Sequence, residues 1–128
     1  MEKATQNDKV IGILPCSGSC NVGIMTVKAT AWIASTQKGI QYVCALGLPL
    51  GIEPIVKRAQ GADRYIALNG CEVGCAGKAL RSVSIDPERE LYVTRDLCLE
   101  KNKNFHDEAG LPELIGRVEK TVEDIRPA

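Results

Sequence analysis

The chain has 128 residues, the length of one ordinary domain, and 45% of them are apolar, which is enough for a core and too many for a disordered chain. Lys plus Arg equals Asp plus Glu at 16 each, so the formal net charge is zero and there is no long-range pull toward nucleic acid or an anionic membrane. No apolar run approaches the roughly 18 residues that a membrane span needs.

Residues 1–9 are polar and lack the apolar core of a secretory signal. They read as a tail on a single α/β domain that stays in the cytoplasm. That placement decides how the six cysteines are read. In a reducing compartment they point to metal ligation or redox chemistry, where a secreted chain would suggest three disulfides.

Val10 to Leu14 is a short apolar run that reads as a buried strand, stopped by Pro15. Cys16-Ser-Gly-Ser-Cys20 follows, rich in turn formers. Ser19 or Asn21 then caps a helix from Val22 to about Gln37, with Val22, Met25, Ala29, Trp32 and Ile33 on its core face and Lys38-Gly39 closing it. Gln41 to Leu46 reads as a second strand with Cys44 at its end. Glu53 to Ala59 is a helix with Pro54 in its first turn. Arg64 to Leu68 is a third strand and Asn69 to Gly74 a loop. Cys75 to Val83 is a short helix, which argues against a hairpin at Asn69-Gly70. Leu91 to Thr94 is a fourth strand, and Asp96 to Gly110 is polar and irregular. A last helix runs from Leu111 or Pro112 to about Ile125, with Leu114, Ile115, Val118, Val122 and Ile125 on one face.

Short buried strands alternating with helices predict a mostly parallel sheet of about four strands with helices on both faces, Rossmann-like or flavodoxin-like, in the order 2-1-3-4. On that skeleton Cys16 and Cys20 follow strand one, and Cys44 ends strand two. Cys71 and Cys75 follow strand three, and Cys98 lies past strand four. Parallel strands share a direction, so all six thiols gather at the carboxyl edge, where such sheets bind ligands. A single cysteine is more often a small core residue, and Cys44 is the best candidate for that; six at one edge point to a site.

Both pairs are spaced Cys-x-x-x-Cys, which puts two sulfurs on one face at a helix start. The helix N-termini favour thiolate there, with Lys78 and Arg81 as further cations. Four thiolates suit zinc; thiolates also suit an iron–sulfur cluster or copper(I). A thiol redox or sulfur-transfer enzyme working through Cys16/Cys20 or Cys71/Cys75 is the third reading, and the pattern favours binding over catalysis.

Cys16-Ser17-Gly18 before a helix, Cys44-Ala-Leu-Gly47, and Leu68-Asn69-Gly70-Cys71-Glu72-Val73-Gly74-Cys75-Ala76 resemble the DGC-domain family of zinc-binding proteins, over about Val10 to Leu97. The resemblance implies zinc held by Cys16, Cys44, Cys71 and Cys75, with Cys20 and Cys98 as additions that leave a larger site or cluster open. The family motif Asp-Gly-Cys is here Asn69-Gly70-Cys71. A task that needs the carboxylate is thereby put in question, while a turn or capping role survives.

Other motifs carry less. Cys75 to Arg81 has the Cys-x5-Arg spacing of cysteine phosphatases, but the intervening residues are helical and not a phosphate loop. Gly47 to Gly51 has no phosphate-binding pattern. His106, the only histidine, reads as an exposed loop residue, Glu72 as a solvated carboxylate, and Lys101 to Lys103 as a solvated loop. The expected partner is a metal ion, with no nucleic acid and no membrane. A dimer sharing the cysteine edge through Cys20 or Cys98 stays open.

Overall fold

The computed structural model describes residues 9–126. Within it the chain alternates strand and helix. The elements are β1 (Ile11–Pro15), α1 (Asn21–Thr36), β2 (Ile40–Tyr42), α2 (Glu53–Ala59), β3 (Arg64–Asn69), α3 (Cys75–Arg81), β4 (Arg89–Tyr92), α4 (Val93–Asp96) and α5 (Leu111–Ile125). The four strands form one all-parallel sheet in the order β2-β1-β3-β4, as the sequence predicts.

The two central strands are apolar over residues 11–15 and 65–68, with the polar Arg64 and Asn69 at the ends of β3. Every residue of β1 is buried, as are the last five of β3, because each face of a parallel sheet is covered by helices. On one face Ile11, Ile13, Ile66 and Leu68 pack against Val22, Met25, Ala29 and Ile33 of α1 and Leu114, Val118 and Val122 of α5. On the other, Leu14, Tyr65 and Ala67 meet Ala59 of α2 and Ala76 and Leu80 of α3. The described residues form a single domain. No helix among them is long and apolar enough to cross a membrane.

Leu68 is fully buried one residue before the Asn69-Gly70-Cys71 turn. Leu68→Ala is expected to cost about 2–5 kcal/mol, since the cavity in a two-sided core cannot collapse. Denaturant unfolding reads this directly; a cost under about 1 kcal/mol would contradict the packing described.

The order of strands positions the site. The chain steps from β1 outward to β2, returns across β1 to β3, and continues to β4. The direction in which strands are added therefore reverses between β1 and β3, and the crevice at their carboxyl ends is where open α/β sheets take ligands.

Several boundaries differ from the sequence-based expectation. β2 ends at Tyr42, so Cys44 lies in the loop beyond it and is exposed, not a core residue of a strand. Val43 continues the strand's hydrogen bonding for one residue, its N–H donating to Ile13 O at 2.9 Å, and is buried, which is why the segment reads as longer. β4 begins earlier, at Arg89, and Val93 and Thr94 belong to the short helix α4, whose first residue is buried beneath α1. Trp32, expected in the core, is 54% exposed: Ala29 and Ile33 take the buried stripe of α1 and leave position 32 facing solvent. α1 ends at Thr36 with Gln37 as its cap, and Gly39 (φ 71°) makes the turn into β2. Of the polar tail expected over residues 1–9, all but Lys9 lies outside the described residues.

Candidate functional site

The loop from β1 to α1 carries the first two cysteines. Cys16 is half-buried, and its Sγ accepts the backbone N–H of Gly70 at 3.3 Å and lies 3.8 Å from Thr26 Oγ1. Ser17 beside it adopts a left-handed backbone, φ 58°, that turns the chain away from the sheet. Cys20, in place of the expected Ser19 or Asn21, is the N-cap of α1. It is 5% exposed, and its Sγ accepts the Gly23 N–H at 3.4 Å. Of the six cysteines it is the one that packs in the core and serves the helix.

Two glycines, Gly23 and Gly70, let this loop touch the one after β3. A Cβ on Gly23 would stand 2.5 Å from Gly18 O, and one on Gly70 would stand 2.9 Å from Gly23 N. Backbone thus lies directly on backbone, and only residues without a side chain allow it. That stacking places Gly70, and Cys71 after it, against the Cys16 loop.

The loop after β3 carries the second pair. Cys71 is half-buried, Gly74 (φ 74°) precedes α3 in a left-handed conformation, and Cys75 is the exposed first residue of that helix. Asn69 is fully buried. Its Oδ1 accepts the N–H groups of Ala76 at 2.8 Å and Gly77 at 3.4 Å, so the capping role expected of this position is present. Glu72 is exposed and paired with Arg95 at 2.5 Å. The Cys75 to Arg81 segment is helical and Arg81 is bound by Glu90, so the phosphatase-like spacing forms no anion loop.

A cleft of about 540 Å³ opens at this edge, lined by Cys16, Cys44 and Cys75 together with Ser17, Tyr42 and Leu46. Burial raises the Tyr42 phenol above its ordinary value. The charge of nearby Cys44 adds to the rise, and a hydrogen bond with Ser17 opposes it. Cys71 is not among the residues lining the cleft; the Lys101 ammonium reaches its Sγ at 3.5 Å. Cys71 raises the Lys101 pKa first by that hydrogen bond and then by its charge; Cys20 and Cys16 contribute further.

Lys101 is held there by buried Asn21, which bonds the chain on either side of it through Glu100 O at 2.9 Å and Asn102 N at 2.7 Å. Lys101 and Lys103 are exposed, as a solvated loop predicts, and the stretch in addition straps across the thiol edge. No spacing rule reveals a contact made across 30 residues of chain.

Cys98 follows α4 in a left-handed conformation, φ 54°. It is exposed, with Sγ 3.9 Å from Arg95 O, and is not among the residues lining the cleft. His106 is exposed in the strap. Lys78 is exposed on α3.

Behind Asn69 lies a polar network that the sequence does not announce. Glu90 accepts from Arg81 at 2.8 Å, Tyr92 Oη at 3.2 Å and Asn69 Nδ2 at 3.4 Å. The Arg81 hydrogen bond, foremost, holds the Glu90 carboxyl below the ordinary carboxylate range against the opposing effect of burial. A depressed folded-state value contributes stability that is complete above the unfolded value and lost as pH falls through the folded one. Acid titration of Glu90→Gln is therefore expected to show a flatter loss of stability below about pH 4.5 than the parent; identical acid limbs would contradict the network.

All six cysteines are free thiols. Among the described residues, no three Cys, His, Asp or Glu side chains already stand close enough to hold one ion together. The donor set still suits a thiophilic cation. Three thiols line one cleft, and a fourth, Cys71, follows Gly70 in the connection that also carries Cys75, with an ammonium group against its sulfur.

The fold and the site thus define a flavodoxin-like α/β domain in which cysteines from three connections line a cleft at the carboxyl edge of the sheet. The family model for the DGC domain matches residues 12–124, and the chain belongs to that family. No curated protein and no solved structure matches the chain.

Proposed function

We propose that this protein binds a thiophilic metal, zinc, through Cys16, Cys44, Cys71 and Cys75, and uses the site in metal handling, sensing or partner binding. The observation that carries the reading is the shared cleft. Cys16, Cys44 and Cys75 come from three separate connections and line one opening, with Cys71 next to Gly70, whose N–H binds the Cys16 sulfur. Zinc bound there would supply a redox-silent charge that cross-links the loops. The chain's own part is to bring the cysteines to one edge and to aim donors at two of them. The N–H of Gly70 and the ammonium of Lys101 both stabilise negative sulfur. Because the thiols are not already drawn together, metal binding would organise this edge instead of filling a finished cage.

Titration of the reduced, metal-free protein with zinc against a chromogenic chelator tests this. One zinc per chain is expected, with Cys71→Ser or Cys75→Ser losing at least about tenfold in affinity; Cys98→Ser is expected to bind as the parent does. Equal affinity in all these variants would sink the assignment of ligands.

A second reading is an iron–sulfur cluster. It is favoured by the backbone N–H groups that reach two of the six sulfurs, Cys16 and Cys20, since N–H···S bonds tune such clusters. Brown protein carrying iron and sulfide after anaerobic purification would replace the zinc reading with this one.

A further inference from the structure

The Asn69 side chain faces two ways. Its oxygen caps α3 through Ala76 N and Gly77 N, and its Nδ2 points at Glu90 Oε2, 3.4 Å away. Only an amide does both, because a carboxylate has no donor. Glu90 is held in place from the other side by Arg81 and Tyr92, and its side chain is 21% exposed. Gly77 makes the room: a Cβ there would stand 1.9 Å from Glu90 Oε2. The carboxylate therefore lies against the first turn of α3, within reach of Asn69 and with little solvent to screen it.

We infer that Asn69 and Glu90 form a matched pair that positions the Cys71–Cys75 turn, and that Glu90 is what requires an amide where the family motif has an aspartate. Asn69 acts by fixing where α3 begins relative to β3, and hence where Cys75 lies relative to Cys71. An aspartate at this position would keep the cap but set two carboxylates at hydrogen-bond distance in a poorly screened pocket. Replacing Glu90 by glutamine at the same time restores one donor between them, with the hydrogen bond running the opposite way.

The inference rests on the thiolate metal site proposed above. The test is cobalt(II) titration of the reduced protein, read by thiolate-to-cobalt charge-transfer and ligand-field bands, for the parent, Asn69→Asp, Glu90→Gln and the double variant. Asn69→Asp is expected to weaken cobalt binding by at least about tenfold and alter the ligand-field bands. Glu90→Gln alone is expected to stay within about twofold, since its amide oxygen at the Oε2 position still accepts from Asn69, and the 2.8 Å Arg81 bond lost at Oε1 does not reach the cysteine turn. The double variant is expected to recover the parent's affinity and spectrum. Should Asn69→Asp fail to fold, the double variant carries the test, because it removes the repulsion.

Equal cobalt affinity in the parent and Asn69→Asp, or a double variant no better than Asn69→Asp, would overturn the pairing and leave the metal site standing. A parent that takes up no cobalt would overturn the metal site and this inference together.

Discussion

Stripping zinc from the reduced, loaded protein with a chelator is expected to lower its melting temperature by about 10–20 °C. Ligand present at a thousand times its dissociation constant stabilises by about 4 kcal/mol, and 1 kcal/mol moves the midpoint of a domain this size by several degrees. The effect should be local before it is global. Cys16, Cys44, Cys71 and Cys75 sit on connections around one cleft, whereas the sheet beneath them is closed by apolar packing on both faces. Amide hydrogen exchange should therefore rise first in residues 16–20, 43–52 and 70–75, and last in β1 and β3. A melting temperature unchanged after verified metal removal would count against a structural tie between these loops.

The second large effect is expected from Gly70→Ala. The added methyl would meet backbone, with Gly23 N at 2.9 Å and Gly23 Cα at 3.1 Å, and backbone in the first turn of a buried helix cannot step aside as a side-chain tip would. Overpacking of this kind costs about 1–3 kcal/mol. The same displacement lifts the Gly70 N–H away from Cys16 Sγ, so metal affinity should fall along with stability. Gly116→Ala is the contrasting control. A Cβ there has open space around it in the middle of α5, and the substitution is expected to stabilise by about 0.5–1 kcal/mol through helix propensity. Thermal melts of the two variants side by side decide the matter; Gly70→Ala melting at or above the parent would mean the loops do not stack as described.

The central strands were legible because a parallel sheet covered on both faces needs apolar residues along the buried stretch, and residues 11–15 and 65–68 show this in sequence. Strand order followed from placing the first strand centrally. α2 and α5 carried their own signals, a proline in the first turn and a sharply one-sided apolar face.

The misreadings have a common cause, in that tertiary packing decides what local pattern leaves open. Val43 is buried whether or not it lies in a strand, so it drew Cys44 into an element that ends at Tyr42. Trp32 has the right residue type and nearly the right spacing for a core position, but falls just off the stripe that faces the sheet and α5. Cys44, the cysteine that taken singly looked most like a core residue, is exposed and lines the cleft, while Cys20, expected as an addition to the site, is the buried helix cap. The location of the thiols at the carboxyl edge was readable from strand direction alone. What holds that edge in shape was not: the Lys101 strap and the Asn69–Glu90 pair join segments 30 and 21 residues apart, and nothing in periodicity or spacing marks such contacts.

The most direct test of the central claim is the metal content of the protein purified without oxygen and without added metal, measured per chain by elemental analysis beside its visible spectrum. The account predicts close to one zinc per chain, no visible colour, and protection of Cys16, Cys44, Cys71 and Cys75 from alkylation until zinc is chelated. Metal-free protein whose thiols all alkylate at once, and which takes up no zinc when it is offered, would contradict it.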